Sequence, residues 1–365
     1  MPNDISIVDK LELKTFEEDD SSELPPSDII AYNELRSCAD LFRMYNQGIL
    51  DIQPKFQREI VWKDPAQTRF IDSLIKQLPI PSMCFSLDYK TQKWQVIDGL
   101  QRMWTIIRFL SGTDWVLSSL EDIDPVISGK QVREIKDFNS SLHRYYTRVE
   151  NLTLPITVLR CDYSKKSHNN YLFTIFHRLN AGGERLNNQE IRNCIYSGTF
   201  NDLLKKLNAN PNWMKINKMK RTGGYRFLKE ELILRFFSFN DRYSAYDGKL
   251  ASFLNSYMND FRNPGNAFLL EKEDLFNRTV SVISNSVFNN ALPRKMSIAI
   301  FEALMVGISK NIDFLETLPP PSVNNFYMNL QNNEEFSEEK LKEGLASKSG
   351  VMTRMSIAER IFSGH

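Results

Sequence analysis

Residues 96–102 read Val96-Ile97-Asp98-Gly99-Leu100-Gln101-Arg102, a short apolar run that ends in a glycine turn. Met103, Ile106, Ile107 and Leu110 then recur at helical spacing, so the turn joins a strand to an amphipathic helix. Such a turn presents backbone N–H groups and the positive end of the helix dipole to solvent, which suits a phosphate. Arg102 adds a guanidinium fork for phosphate oxygens. Asp98 adds a carboxylate fit to hold a metal ion or to orient a water. The same stretch is equally an ordinary strand–turn–helix with an exposed arginine. Taken alone, the turn leaves both readings open.

Working outward, apolar runs at 83–87 and 94–97 flank the polar stretch 88–93, which predicts a β-hairpin leading into the Asp98 turn. Upstream, Asp64-Pro65 predicts a helix start, with Asp64 as the cap and Phe70, Ile71, Leu74, Ile75 and Leu78 at helical spacing behind it. Ser27 or Asp28 can cap a further helix through about Gln47, and 50–53 looks like a short strand stopped by Pro54. Downstream, 154–160 reads as a strand and 171–179 as a helix. Beyond about residue 200 strand signals fade, and helical periodicity recurs around 228–239, 250–261, 275–288, 298–308 and 341–362. Residues 1–28 are polar and acidic and read as a mobile arm.

The 365 residues leave room for about two domains. Apolar content of 42% and charged content of 25% are ordinary for a globular chain. With a formal net charge of only +1, any nucleic-acid surface has to be a local patch. Cys38, Cys84, Cys161 and Cys194 form no Cys-x-x-Cys pair, against both a zinc site and a disulfide framework. No segment approaches the ~20 apolar residues of a membrane span, and the N-terminus lacks a secretory pattern. A cytoplasmic protein is the expectation. A Gly-x-x-x-x-Gly-Lys-Ser/Thr loop is missing, which excludes a P-loop at motif level.

Three more clusters carry candidate chemistry. Gln57-Arg58 precedes Trp62, and Arg58 offers a second phosphate contact while Trp62 reads as a core residue. Gly182-Gly183 permits close backbone approach to a ligand, with Asn180 before it and Arg192 after it as polar ligands. Asn187 and Glu190 sit at capping-box spacing, which already explains Glu190. Lastly, the stretch from Trp213 to Lys229 holds Lys215, Lys218, Lys220, Arg221 and Arg226 with no acidic residue, interleaved with aromatics. That composition fits a nucleic-acid contact loop, although a solvated basic loop is the commoner origin of such a stretch.

In order along the chain, Gln57-Arg58, Asp98-Gly99-Leu100-Gln101-Arg102, Arg178-Leu179-Asn180, Gly182-Gly183 and Glu190-Ile191-Arg192-Asn193 resemble one known family. They are similar to the N-terminal domain of GmrSD-type restriction endonucleases, whose usual core motif is Asp-Gly-Gln-Gln-Arg. Here Leu100 stands in place of the first Gln. The resemblance implies an α+β chain: a ParB/sulfiredoxin-like α/β nucleotide-binding domain over 29–200, followed by a helical domain over 201–365. It implies binding and hydrolysis of a nucleoside triphosphate with a divalent cation such as magnesium, in a DNA-associated bacterial defence system. The catalytic candidates are Asp98, Gln101 and Arg102, with Asp98 also the metal ligand. Gln57, Arg58, Gly99, Asn180, Gly182, Gly183 and Arg192 are the phosphate candidates; Lys215, Lys218, Lys220, Arg221 and Arg226 are the DNA candidates. The family's His-x-x-Pro nuclease motif is missing from this sequence, so cutting is expected from a separate nuclease subunit. The competing expectation is a DNA- or partner-binding sensor that keeps the fold without turnover.

Overall fold

A computed structural model describes residues 7–16, 25–52, 62–179, 187–217, 228–292 and 296–364. The chain forms two compact units. One is Leu24–Tyr171; the other joins Met1–Glu23 to Leu172–His365.

The Leu24–Tyr171 unit is built on a five-stranded mixed sheet. Its strands are β1 (Ile30–Ser37), β2 (Leu50–Asp51), β3 (Met83–Asp88), β4 (Lys93–Asp98) and β5 (Thr153–Cys161). They lie in the order β1-β5-β3-β4-β2. The β3–β4 and β1–β5 pairs are antiparallel; β3–β5 and β2–β4 are parallel. Met83, Phe85 and Leu87 alternate along β3, and Leu154, Ile156 and Val158 along β5, onto one face of the sheet. That face forms a single core with the helices Cys38–Asn46, Asp64–Ile75, Leu100–Ser111 and His143–Asn151.

The hairpin, the Asp98 turn and the helix after it lie where the sequence placed them. Two local readings differ. The helix expected from Ser27 is the strand β1, because residues 30–37 pair with 153–160 across the whole element. Helix begins only at Cys38, where the Ser37 side chain accepts the Asp40 N–H at 3.1 Å. Asp64 is not the cap of its helix: Lys63 holds that position without a side-chain bond. The Asp64 carboxylate instead accepts from Arg108 Nη1 at 2.6 Å.

The second unit is helical, with no strand among its described residues. Its central helix, Leu228–Arg242, is buried at every position from 228 to 240 except Lys229. The helix expected over 341–362 is two, Glu338–Gly344 and Lys348–Phe362, with Ser347 capping the second through the Gly350 N–H. The division between units falls at 171/172, inside the Lys166–Leu179 helix, not near 200. Part of the expected mobile arm is ordered, since Ile7–Lys14 is a helix and Phe16 is fully buried. The Arg235 guanidinium lies 3.8 Å over the Phe16 ring, and Glu12 accepts the Ala299 N–H at 3.1 Å. These contacts hold the segment against the helical unit. No helix among the described residues is long and apolar enough to cross a membrane.

Candidate phosphate site at the Asp98 turn

The antiparallel register of β3 and β4 shifts between Cys84 and Phe85. Phe85 faces Val96 and Cys84 faces Asp98, so Ile97 has no residue opposite. A bulge of this kind at a strand end re-aims the next side chain. The chain then turns through Gly99 at φ +96°, the cap residue of the Leu100–Ser111 helix. Glycine is required twice over at this position. The backbone is left-handed, and a Cβ would stand 2.5 Å from Met83 Cγ.

The first intrahelical bond runs from the Met103 N–H to the Gly99 carbonyl at 2.8 Å. The N–H groups of residues 100–102 therefore have no partner within the helix, and Gly99 carries no side chain to cap them. Arg102 Nη2 donates to Asp98 Oδ2 at 2.8 Å and Nη1 to the Pro81 carbonyl at 2.6 Å. A guanidinium has five N–H donors, so these two bonds orient it and leave others unused. The side chains are 15% and 35% exposed for Arg102 and Asp98, a partly sheltered pair at the surface. The Pro81 carbonyl is a partner with no sequence signal, because any residue supplies one.

Gln101 faces a different neighbour. Its Oε1 lies 3.4 Å from the Trp62 N–H, while Gln67 Nε2 donates to the Trp62 carbonyl at 2.6 Å. Arg108 Nη1 donates in turn to Gln67 Oε1 at 2.8 Å. Trp62 itself packs edge-on against Phe70 at 5.6 Å and joins the core, as its sequence position suggested.

Cys84, across from Asp98, is buried at 7% exposure. Burial, with the Asp98 charge adding to it, pushes its thiol up to about 12. Among the described residues no group of three His, Cys, Asp or Glu could hold a metal. Asp98 is thus a single carboxylate, which fits a magnesium ion that takes the rest of its ligands from phosphates and water, not an all-protein cage.

Other expected site residues go elsewhere. Gln57, Arg58, Asn180, Gly182, Gly183, Lys218, Lys220, Arg221 and Arg226 lie outside the described residues. Arg192 is enclosed in the helical unit, 1% exposed, with Nε donating to Asn255 at 2.8 Å and Nη1 to Glu231 at 3.0 Å. Glu231 also accepts from Arg235 at 2.8 Å, and Arg235 reaches Glu302 at 3.1 Å. That network occupies the Arg192 guanidinium with structural partners in place of a phosphate. The reciprocal Asn187–Glu190 capping box is present, as its spacing indicated. Lys215 is half-buried on the Pro211–Asn217 helix. Trp213 cannot stack on a base: it is fully buried against Phe276 and Phe301, and its indole N–H bonds Asn208.

Residues 38–197 match the family model of the GmrSD restriction endonuclease, N-terminal domain. The matched span takes in β2–β5, the Asp98 turn and the Asn187–Glu190 box. No curated protein and no solved structure matches the chain.

Proposed function

We propose that this chain, with its GmrSD-type N-terminal domain over residues 38–197, binds and slowly hydrolyses a nucleoside triphosphate at the 98–102 turn. In this reading it is the DNA-associated, nucleotide-responsive component of a restriction-like defence system, with cutting left to a separate nuclease subunit. The observation that carries the reading is the turn itself. An arginine–carboxylate pair at 2.8 Å stands over a left-handed glycine, beside three helix N–H groups without intrahelical partners.

Each group has a role in that chemistry. The free helix N–H groups and the unused Arg102 donors bind phosphate oxygens. The bonds to Asp98 and Pro81 hold the guanidinium in one orientation, so little side-chain freedom is lost on binding. In this reading Asp98 orients a water toward the terminal phosphorus and would contribute one ligand to a magnesium ion. When bound, that ion neutralises charge on the phosphates. Gln101 holds the Trp62 backbone beside the turn. Gln57, Arg58, Asn180, Gly182 and Gly183 are proposed to complete the phosphate contacts, on the motif alone. The basic stretch from Lys215 through Lys218, Lys220, Arg221 and Arg226 is proposed to contact DNA.

A second reading, a DNA- or partner-binding sensor without turnover, is favoured by Leu100 and by the ion pair that Asp98 makes with Arg102. Phosphate release from ATP, GTP, CTP and UTP with magnesium separates the two. Losing a charge-assisted phosphate contact costs about 1.5–3 kcal/mol, so Arg102→Ala weakens triphosphate binding by roughly 10- to 150-fold. A wild-type protein that binds no triphosphate refutes the reading.

A further inference from the structure

The sheet of the Leu24–Tyr171 unit ends on two unequal edges. At one edge β2 has two residues, Leu50–Asp51; at the other β1 has eight, Ile30–Ser37. Very short edge strands, prolines, lysines and bulges keep a free edge from pairing with another chain. The β2 edge is protected by its length. None of these devices is present in β1. It holds no proline or lysine, and its register with β5 runs unbroken from Ile30 opposite Arg160 to Ser37 opposite Thr153.

One bond fixes where the free backbone groups of β1 point. The Cys38 N–H donates to the Leu152 carbonyl at 2.9 Å, in the same register. Hydrogen-bonded pairs alternate along an antiparallel ladder, so Ile30, Tyr32, Glu34 and Arg36 bond β5. The backbone groups of Ala31, Asn33 and Leu35 therefore point outward, and among the described residues they have no backbone partner. Leu35 is 70% exposed, and Ile30 and Tyr32 are exposed with it. A regular, apolar, unpaired strand is a surface for strand addition.

The side chains of β1 select the added strand. An antiparallel copy of β1 centred on Leu35 sets Leu35 against Leu35 of the second copy. It also sets Glu34 against Arg36 of the second copy, twice by symmetry. Arg36 Nε bonds Glu34 and Nη1 donates to Asp40 at 2.6 Å, while Nη2 makes no hydrogen bond among the described residues. That nitrogen is available to Glu34 of the second copy, and the four charges then alternate in sign. Centring the pair on Glu34 would instead oppose like charges. Half-buried Pro155, opposite Leu35 on β5, extends the apolar contact at the axis.

We propose that β1 is a self-pairing edge: two copies of this chain join antiparallel through β1, about a two-fold axis at Leu35, into one continuous sheet. The contact is isologous, so it closes at the dimer. It is independent of the triphosphate reading of the Asp98 turn.

Analytical ultracentrifugation of the full chain, from micromolar to submillimolar concentration, tests this. A monomer–dimer equilibrium is expected. Leu35→Lys sets two ammonium groups opposite each other and removes the apolar contact at the axis. It should raise the dimer dissociation constant by roughly 10- to 100-fold. Its circular-dichroism spectrum should remain that of the wild type, because the side chain is exposed in the monomer. Cysteine crosslinking checks the register, since Cys38, Cys84, Cys161 and Cys194 are all buried. Cα atoms of a hydrogen-bonded pair are about 5.5 Å apart, within disulfide reach, so oxidised Leu35→Cys should form a covalent dimer. Asn33→Cys should not, because four residues of register put it roughly 13 Å along the strand from its own copy. A monomeric wild type, which leaves the edge to a strand of another protein, overturns the proposal. So does a dimer that Leu35→Lys leaves intact, or a crosslink at position 33 with none at 35.

Discussion

Replacing Gly99 by alanine puts the geometry of the Asp98 turn to a direct test. Two penalties act together. At φ +96° an L side chain is strained, costing roughly 1–2 kcal/mol. The new Cβ would also stand 2.5 Å from Met83 Cγ and 2.9 Å from its Sδ. Met83 is 1% exposed within the core, so it cannot swing into solvent, and overpacking of this kind costs about 1–3 kcal/mol. The sum is ~2–5 kcal/mol, and for a unit of this size that lowers the thermal midpoint by about 4–20 °C. Gly48 supplies the control. It too is left-handed, at φ +65°, but nothing lies within 4 Å of its Cβ position, so Gly48→Ala should cost only the strain of ~1–2 kcal/mol. The assay is thermal unfolding followed by tryptophan fluorescence. A Met83→Ala background should rescue part of the Gly99→Ala loss, making the double variant more stable than the sum of the singles by ~1–3 kcal/mol. Equal losses at Gly99 and Gly48, or strict additivity with Met83→Ala, would refute the packing argument.

Arg192→Ala should destabilise the helical unit by about 3–5 kcal/mol, because it leaves the buried Glu231 short of one of its two arginines. In denaturant titration a loss below 1 kcal/mol would be inconsistent with that network, and an unchanged triphosphate affinity in the same variant would confirm the structural role. The Asp28 carboxyl is held down to about 2, first by the Lys165 ammonium and then by His168. A carboxylate depressed in this way stabilises the fold above its ordinary value of about 4 and loses that contribution as pH falls to about 2. The gap in thermal midpoint between wild type and Asp28→Asn should therefore be constant near neutrality and close across that acid window. A gap that persists at the acid end would show that Asp28 acts otherwise. For the basic stretch, alanine at Lys218, Lys220 and Arg221 should flatten the slope of log DNA affinity against log salt by roughly two to three units. Identical slopes would return the stretch to a solvated loop.

The sequence by itself determined those features that are closed within a few residues. The hairpin strands β3 and β4, the strand-to-helix turn at Asp98 and the Asn187–Glu190 capping box are all decided by neighbours close along the chain. Their signals, alternation, a glycine and a capping pair, are local, so they were legible. The pairing of Asp98 with Arg102 joins the end of β4 to the first turn of the next helix across a left-handed glycine, so it follows from the geometry of the turn and not from a helical i, i+4 pattern. Tertiary structure decided the rest. Residues 30–37 carry enough helical pattern to mislead, and become a strand only because β5, more than a hundred residues later, supplies a partner. Arg192 and Trp213 looked like ligand-facing groups, yet distant helices bring Glu231, Asn255 and Phe276 around them. Likewise the acidic leader yields the helix Ile7–Lys14 because Arg235 donates to the Thr15 hydroxyl and the Ala299 N–H to the Glu12 carboxylate. Whether a polar or aromatic group is buried depends on residues that are neighbours in space and not in sequence. Single-residue chemistry is blind to that until the fold is in hand.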